Sequence, residues 1–485
     1  MAMSNLFRSR ARQLQHPVNS NSEGEKWIVR IPLMPRLAFP EEKMRGEIAT
    51  MKYVSEKTKI PVPRIICYSI GYNNILSLPF MLLEYIEGQP LSTQFEFLDD
   101  GRKEHVYRQL SCIYLELFQQ QFNAIGALTL DEKDEHWVFR ANRPLTIAIN
   151  DQEIGGFDVN RFLPRHQVFK STIDYVYMLL KAIFNDFHTR RDCIWDEEDA
   201  QCYLYSLYAA QGVVMEWVKP EYNHGPFILM HGDIRPSNII VDDNLNILSV
   251  LDWEWSHTVP AQLFVAPSWL TNEELISVSK DPTNISVEIA NFRRAMQSKE
   301  CCDYNPNKLR SSALPLTRLW RSSHKRNPFF LAHGLLKPWY FSHVFLDVLD
   351  LDYYGVNRAE RINSFYNLDI RKLATETVLR KVKELDTFRE ELKKLGIEEE
   401  QPVEVSTALS SGQQRRLRKF RKQKEELPFK AEPKPEIRQP PVQRWRQCYS
   451  KPVKSNVVLE VLRWSMISVI TAVSVSYVVA KLRRA

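Results

Sequence analysis

The stretch His231-Gly232-Asp233-Ile234-Arg235-Pro236-Ser237-Asn238 holds the residues of this chain best suited to chemistry, and Asp252-Trp253-Glu254-Trp255 follows it. Phosphoryl transfer asks mainly for positioning and for neutralisation of triphosphate charge. Magnesium prefers hard oxygen ligands and commonly bridges a carboxylate and a phosphate. A further carboxylate must take or orient the proton of the attacking hydroxyl. Asp233 is the candidate base, and Asn238 and Asp252 are the candidate metal ligands. His231 is expected to support the loop backbone rather than react, and Arg235 to reach a phosphate. An Asp and an Asn with four residues between them usually mark no more than a turn. The preceding His-Gly, the apolar runs on both sides and the later Asp-Trp-Glu separate this stretch from that plain case. Trp253 and Trp255 read as packing residues. Glu254 either pairs with a neighbouring cation or faces a cationic substrate.

The elements around it must bring these groups together. The runs Ile239-Ile240-Val241 and Ile247-Leu248-Ser249-Val250-Leu251 are joined by polar Asp242-Asp243-Asn244, which predicts a hairpin returning Asp252 to the vicinity of Asn238. Upstream, residues 26–32 read as a strand ended by Pro32. Residues 41–59 read as a helix, with Met44, Ile48, Met51 and Val54 at helical spacing. Residues 64–68 and 79–85 read as two further strands, and Glu87-Gly88 as a turn. Beyond residue 88 the pattern is mostly helical, with long periodic segments at 106–121, 173–187 and 200–218. A charged amphipathic helix spans residues 370–395, with Val378, Val382, Leu385, Leu392 and Leu395 on one side and Gly396 as its cap. The expected fold class is α+β: a small sheet-and-helix lobe over residues 1–88 and a larger, mainly helical lobe over 89–370. The segment 371–400 is the charged helix, 401–456 a basic proline-rich linker, and 457–485 an apolar tail.

The combination His-Gly-Asp-x-x-Pro-x-Asn, hairpin, Asp-Trp-Glu resembles the aminoglycoside phosphotransferase and choline kinase-like family, which has the protein-kinase-like fold. The resemblance runs from about residue 27 to about residue 368. Phe122-Asn123-Ala124-Ile125-Gly126, Arg143-Pro144-Leu145-Thr146 and Val259-Pro260-Ala261-Gln262-Leu263-Phe264 are similar to segments of its fungal branch. The resemblance implies ATP and Mg²⁺ as cofactors and a small-molecule hydroxyl as acceptor. It also implies Arg30 as the phosphate-pairing cation, Glu47 as its ion-pair partner, and Glu84 to Ile86 as the hinge whose backbone meets adenine. Family members carry a strand, a phosphate loop and a second strand ahead of the Arg30 position. Residues 1–26 offer a single glycine, Gly24, and a poor strand signal. That thinness keeps a second reading open: a catalytically weak, membrane-tethered binding or scaffolding protein on the same fold. Protein kinase activity fits less well, because Asp-Trp-Glu stands in place of Asp-Phe-Gly and no Ala-Pro-Glu follows.

Composition narrows the class. With 44% hydrophobic and 26% charged residues, the 485-residue chain can bury a sizeable core. Its 65 basic residues nearly balance 59 acidic ones, so the chain as a whole is not a nucleic-acid binder. The basic excess concentrates in Arg415, Arg416, Arg418, Lys419, Arg421, Lys422 and Lys424, without aromatic interleaving for base stacking. The seven cysteines contain no CxxC pair, which suits a reducing compartment and gives no zinc spacing. Residues 1–15 have three arginines but no apolar stretch, so no secretory signal is expected; the arginine richness is weakly transit-like. From Trp464 to Ala480 there is no charge, and basic residues flank the segment. At the lower limit of a spanning length, it is expected to anchor the chain to a membrane, leaving the core in the cytoplasm.

Overall fold

A computed structural model describes residues 13–18, 26–74, 76–303, 315–322 and 328–397. The basic run, the linker and the apolar tail lie outside the described residues. Among the described residues, no helix is long and apolar enough to cross a membrane. The architecture is α+β in two lobes.

The small lobe is a four-stranded antiparallel sheet in the order β1-β2-β4-β3. Its strands are β1 (Gln13–Val18), β2 (Trp27–Pro32), β3 (Ile65–Ser69) and β4 (Phe80–Glu84). Strand β1 corrects the expectation of a poor strand signal before residue 26. It pairs with β2 from Gln13 opposite Pro32 to Val18 opposite Trp27. Among the described residues it is an edge strand, the place in a sheet where a proline such as Pro17 is tolerated, and its partner rather than its own composition makes it a strand. Among the described residues one strand precedes β2, where the family resemblance implies two. Gly24 lies outside the described residues.

Helix α1 (Pro40–Lys57) packs between this sheet and the large lobe. Pro40 takes the first helical position, where a missing N–H costs nothing. Glu41 and Glu42 occupy the first turn and Lys57 the last, as the helix dipole favours. Met44, Ile48 and Met51 are buried at helical spacing, and Lys43 and Glu47 are buried with them. The helix stops at Lys57, before the proline pair at 61 and 63, where Thr58 turns extended.

The large lobe contains α2 (Asp100–Gln119), α3 (Thr172–Thr189) and α4 (Glu197–Trp217). Each begins at a side-chain cap: Asp99 accepts from Arg102 N–H, Ser171 from Asp174 N–H, and Asp196 from Asp199 N–H. Such a cap contributes about 1 kcal/mol. Further along come α5 (Thr283–Asp303), α6 (Pro328–Leu336) and α7 (Lys372–Lys394). Helix α7 buries Val378 and Leu385 as its pattern predicts, but Leu395 is exposed. Gly396 has φ +69°, and Ile397 N–H reaches back to Leu392 O at 3.0 Å, closing a Schellman-type end.

The predicted hairpin forms, and short strands that the sequence reading did not include join it and brace this lobe. Strand β5 (Gln89–Pro90) pairs with β8 (Ile239–Val241), which pairs with β9 (Ile247–Val250). Strand β6 (Gln121–Phe122) pairs with β7 (Phe227–Met230), which pairs with β10 (His257–Pro260). Two-residue strands have no periodicity of their own, so only their partners define them.

Two buried polar devices lock the lobes internally. Arg143 is almost fully buried; its Nε and Nη2 donate to the two carboxylate oxygens of Glu42 at 2.9 and 2.8 Å, and Nη1 donates to Leu163 O. The large lobe thus grips the first turn of α1. Removing one partner of a buried pair strands the other charge, at a cost of about 3–5 kcal/mol. Arg143→Met is therefore expected to lower unfolding free energy by roughly that amount, which urea denaturation of the variant and the parent checks.

The second device is buried His257. Its Nδ1 lies 3.0 Å from Trp255 O and its Nε2 2.9 Å from the Tyr175 hydroxyl. Burial, partly offset by the Trp255 carbonyl, holds its pKa down to about 4. The fold therefore favours the neutral ring, and the unfolded chain takes up the proton first. Stability is intact above the ordinary histidine value of ~6.5 and falls as pH drops toward 4, by up to about 3 kcal/mol for this group. His257→Gln, which cannot titrate, is expected to show a shallower loss of stability between pH 6.5 and 4; denaturant midpoints across that range measure it.

Candidate functional site

The site is assembled by the hairpin β8–β9. Ile239, Val241 and Val250 are fully buried, and burying each such side chain contributes ~1.5–3 kcal/mol. Ile239 faces Val250, and Leu251 N–H donates to Asn238 O at 2.8 Å, so the ladder continues one step past the strands. The next residue is Asp252, and the pairing places it beside Asn238. At the far end Asp242 accepts from Asn244 N–H and Asn246 N–H, fixing the turn.

The loop between β7 and β8 presents Asp233. His231, buried, has its Nε2 2.8 Å from Leu251 O, while its Nδ1 accepts the Asp233 N–H at 3.3 Å. Both ring nitrogens hold backbone, which makes His231 a positioning residue. Burial pushes its pKa down to about 4, so the ring is neutral and can do both. Gly232 is required here: it has φ +73°, and a Cβ would lie 2.4 Å from Trp255 O. The Asn238 side-chain N–H donates to Asp233 O at 2.9 Å, which turns its Oδ1 the other way.

Burial pushes the Asp233 carboxyl up to about 6; Arg235 opposes this and the Asp252 charge adds to it. A carboxyl in that range is well matched to accepting a proton near neutral pH. Arg235 lies with Nε 3.3 Å from Asp233 Oδ2, and its side chain is half exposed.

Behind this loop lies a cluster of five buried or half-buried charges. Arg30 on β2 pairs with Glu47 of α1 at 2.9 Å, with Asp252, and with Glu254 at 3.5 Å. Lys43, one turn before Glu47, pairs with Glu47 at 3.4 Å and with Glu254. Burial works against the charge on Asp252, but Arg30 and Lys43 outweigh it and hold the carboxyl below its usual range. Glu254 thus turns inward to cations of the protein. Trp253 and Trp255 are buried, and their indole N–H groups donate to Val250 O and to Glu254.

The structure thus brings Asp233, His231, Arg235, Asn238, Asp252, Arg30 and Glu47 to one place. Glu84 and Ile86 stand apart from them, at the end of β4 and on the segment that leaves the sheet. Glu84 accepts from Arg64 N–H at 3.2 Å, on the side of β3. Two cations escaped the sequence reading. Lys43 had a signal, since it precedes Glu47 by one helical turn on the same face. Lys337 had none: only folding fastens it, through Ser268 and the neighbouring Trp269, to the loop of Asp233.

Residues 16–173 and 174–261 match the model of the phosphotransferase enzyme family. Among curated relatives, the protein named "Altered inheritance of mitochondria protein 9, mitochondrial" from Meyerozyma guilliermondii is 31% identical over 117 residues, 23% of this chain and 19% of the relative. The protein of the same name from Zygosaccharomyces rouxii is 34% identical over 96 residues, 18% of this chain and 16% of the relative. The matched stretches therefore span less than a fifth of those relatives' lengths. Among solved structures, the GDP and kanamycin complex of APH(2")-IIia is 13% identical, with 76% of this chain and 98% of that chain covered and a TM-score of 0.36. Aminoglycoside phosphotransferase APH(4)-Ia is 13% identical, with 79% and 97% covered and a TM-score of 0.34. The family match takes in just over half of the sequence, including β2, α1 and the whole loop and hairpin that carry Asp233, Asn238 and Asp252: the chain belongs to the phosphotransferase enzyme family.

Proposed function

We propose that this chain is an ATP- and magnesium-dependent phosphotransferase whose acceptor is a hydroxyl of a small molecule. The observation that supports the reading most is the convergence of Asp233, Asn238 and Asp252 on one wall, with Arg30 bonded to Asp252 from the other lobe. The donor set suits magnesium: an ionised carboxylate, and an amide whose nitrogen is tied back so that its oxygen is free to face outward. Two protein oxygens are what magnesium ordinarily takes when phosphate and water complete its shell. Bound there, the magnesium complex of ATP would supply the transferable γ-phosphoryl group and screen its charge.

The residues of this chain have distinct parts in the reaction. Asn238 and Asp252 would hold the metal. Arg30 has five N–H donors, enough to keep Glu47 while offering others to phosphate oxygens. Asp233 orients the acceptor hydroxyl and takes its proton, and its raised pKa keeps it a useful base. His231 keeps the Asp233 backbone in place, and Lys43 with Glu254 keeps Asp252 and Arg30 in register. A catalytically weak binding protein is the competing reading, favoured by the single strand that precedes β2 among the described residues.

Asp233→Asn is expected to leave nucleotide affinity nearly unchanged and to lower turnover by about 10²–10⁴-fold. Slow ATP hydrolysis, with water as acceptor, reads turnover before a substrate is known; unchanged hydrolysis in the variant removes Asp233 as the base. Asp252→Ala is expected to abolish the magnesium-dependent part of ATP binding to the full chain in calorimetry. No ATP binding by the parent chain would favour the non-catalytic reading.

A further inference from the structure

A cation that the proposed phosphate chemistry does not use is fastened beside the loop of Asp233. Lys337 stands where α6 ends, just before the turn Pro338–Tyr340. It is half-buried, and its ammonium donates to Ser268 Oγ at 2.9 Å. Ser268 and Trp269 are adjacent, and Trp269 donates its indole N–H to Ile234 O at 2.7 Å. The segment that holds Lys337 is thereby fastened to the catalytic loop one residue from Asp233. The nearby Glu274 carboxylate accepts the Tyr340 hydroxyl at 2.6 Å, and among the described residues no carboxylate lies within ion-pair distance of Lys337. From the loop itself, half-exposed Arg235 adds a second positive charge beside Asp233.

Burial lowers the Lys337 pKa, with Asp233 and Glu274 opposing and Arg235 adding to the fall. With the neutral Ser268 hydroxyl as its hydrogen-bond acceptor, the ammonium is under-compensated where it stands. A cation withdrawn from water with a neutral hydroxyl as its partner is costly. Ser268 takes one of its three N–H donors. An anionic group placed between Lys337 and Arg235 would relieve the cost and hold a neighbouring hydroxyl against Asp233. A polycationic acceptor would meet two like charges there, and Asp233, which already faces Arg235, is needed as the base.

We infer that Lys337 and Arg235 form an anion subsite, so that the acceptor is a small hydroxyl compound bearing a carboxylate or phosphate rather than a polyamine. The inference rests on the phosphotransferase reading of the same site. The test is calorimetry on the full chain, first with the magnesium complex of a non-hydrolysable ATP analogue, then with four probes on the loaded protein. Glycerate and glycerol 3-phosphate are anionic, glycerol is neutral, and kanamycin is polycationic. Both anionic probes are expected to bind about tenfold or more tightly than glycerol, and kanamycin not at all. Lys337→Gln is expected to weaken the anionic probes by about tenfold or more with nucleotide affinity unchanged, whereas Lys337→Arg keeps most of the affinity. Tighter binding of kanamycin, no binding of either anion to the parent chain, or unchanged anion affinity in a folded Lys337→Gln overturns the inference. If Lys337→Gln does not fold, the charge preference of the parent chain and the Lys337→Arg result decide. Failure of the nucleotide titration sinks the phosphotransferase reading and the acceptor assignment with it, and it is read in a separate step from the probes.

Discussion

The cluster of Arg30, Lys43, Glu47, Asp252 and Glu254 is the constraint on which the rest of the site depends. Two cations from the small lobe meet a carboxylate from α1 and two from the segment after the hairpin. Charges withdrawn from water are tolerated only when each is closely met. That requirement sets the position of α1 against β2, and of both against Asp252. No single pair would do this. Lys43 and Glu254 add a second bridge across the same gap, so moving Asp252 would disturb four other charges.

Around this cluster the hydrophobic framework acts as a ruler. The fully buried strands β8 and β9 fix the register that brings Asn238 and Asp252 side by side. Gly232 lets the loop pass close under Trp255, where any side chain would collide with its carbonyl oxygen. His231 then ties the loop to Leu251, so Asp233, Asn238 and Asp252 are referenced to the same backbone. Arg143 adds a second hold on the same N-terminal part of α1, through Glu42, the neighbour of Lys43. The start of one helix is thus held both by the charge cluster around Arg30 and by Arg143 of the large lobe.

The division of charge across Asp233 bears on specificity. Behind it, toward Arg30, acids and bases are closely paired and buried. Arg235 beside it and Lys337, bonded to Ser268, leave positive charge less fully met. Phosphotransfer needs the first arrangement whatever the acceptor; the second is where acceptors would be told apart. Membership of the family therefore speaks to the reaction class, while the proposed subsite at Lys337 would speak to the acceptor.

Much of this was legible in the chain itself. Asp233, Asn238 and Asp252 lie within a short local unit of loop and hairpin, whose apolar runs and polar turn write their own geometry. The helix α1 and strands β2 to β4 were likewise visible as periodicities, and Arg30 and Glu47 through family resemblance. Tertiary structure alone decided the rest. Strand β1 and the two-residue strands exist because of their partners, since pairing supplies the hydrogen bonds that their sequences do not announce. The inward turn of Glu254 followed from where Lys43 and Arg30 came to lie. Lys337 is distant along the chain from Asp233, and no local pattern encodes a contact that arises only when α6 and the segment of Ser268 and Trp269 close on the loop. Local hydrogen bonding and side-chain periodicity are written in consecutive residues; the balance of buried charge is a property of the assembled whole.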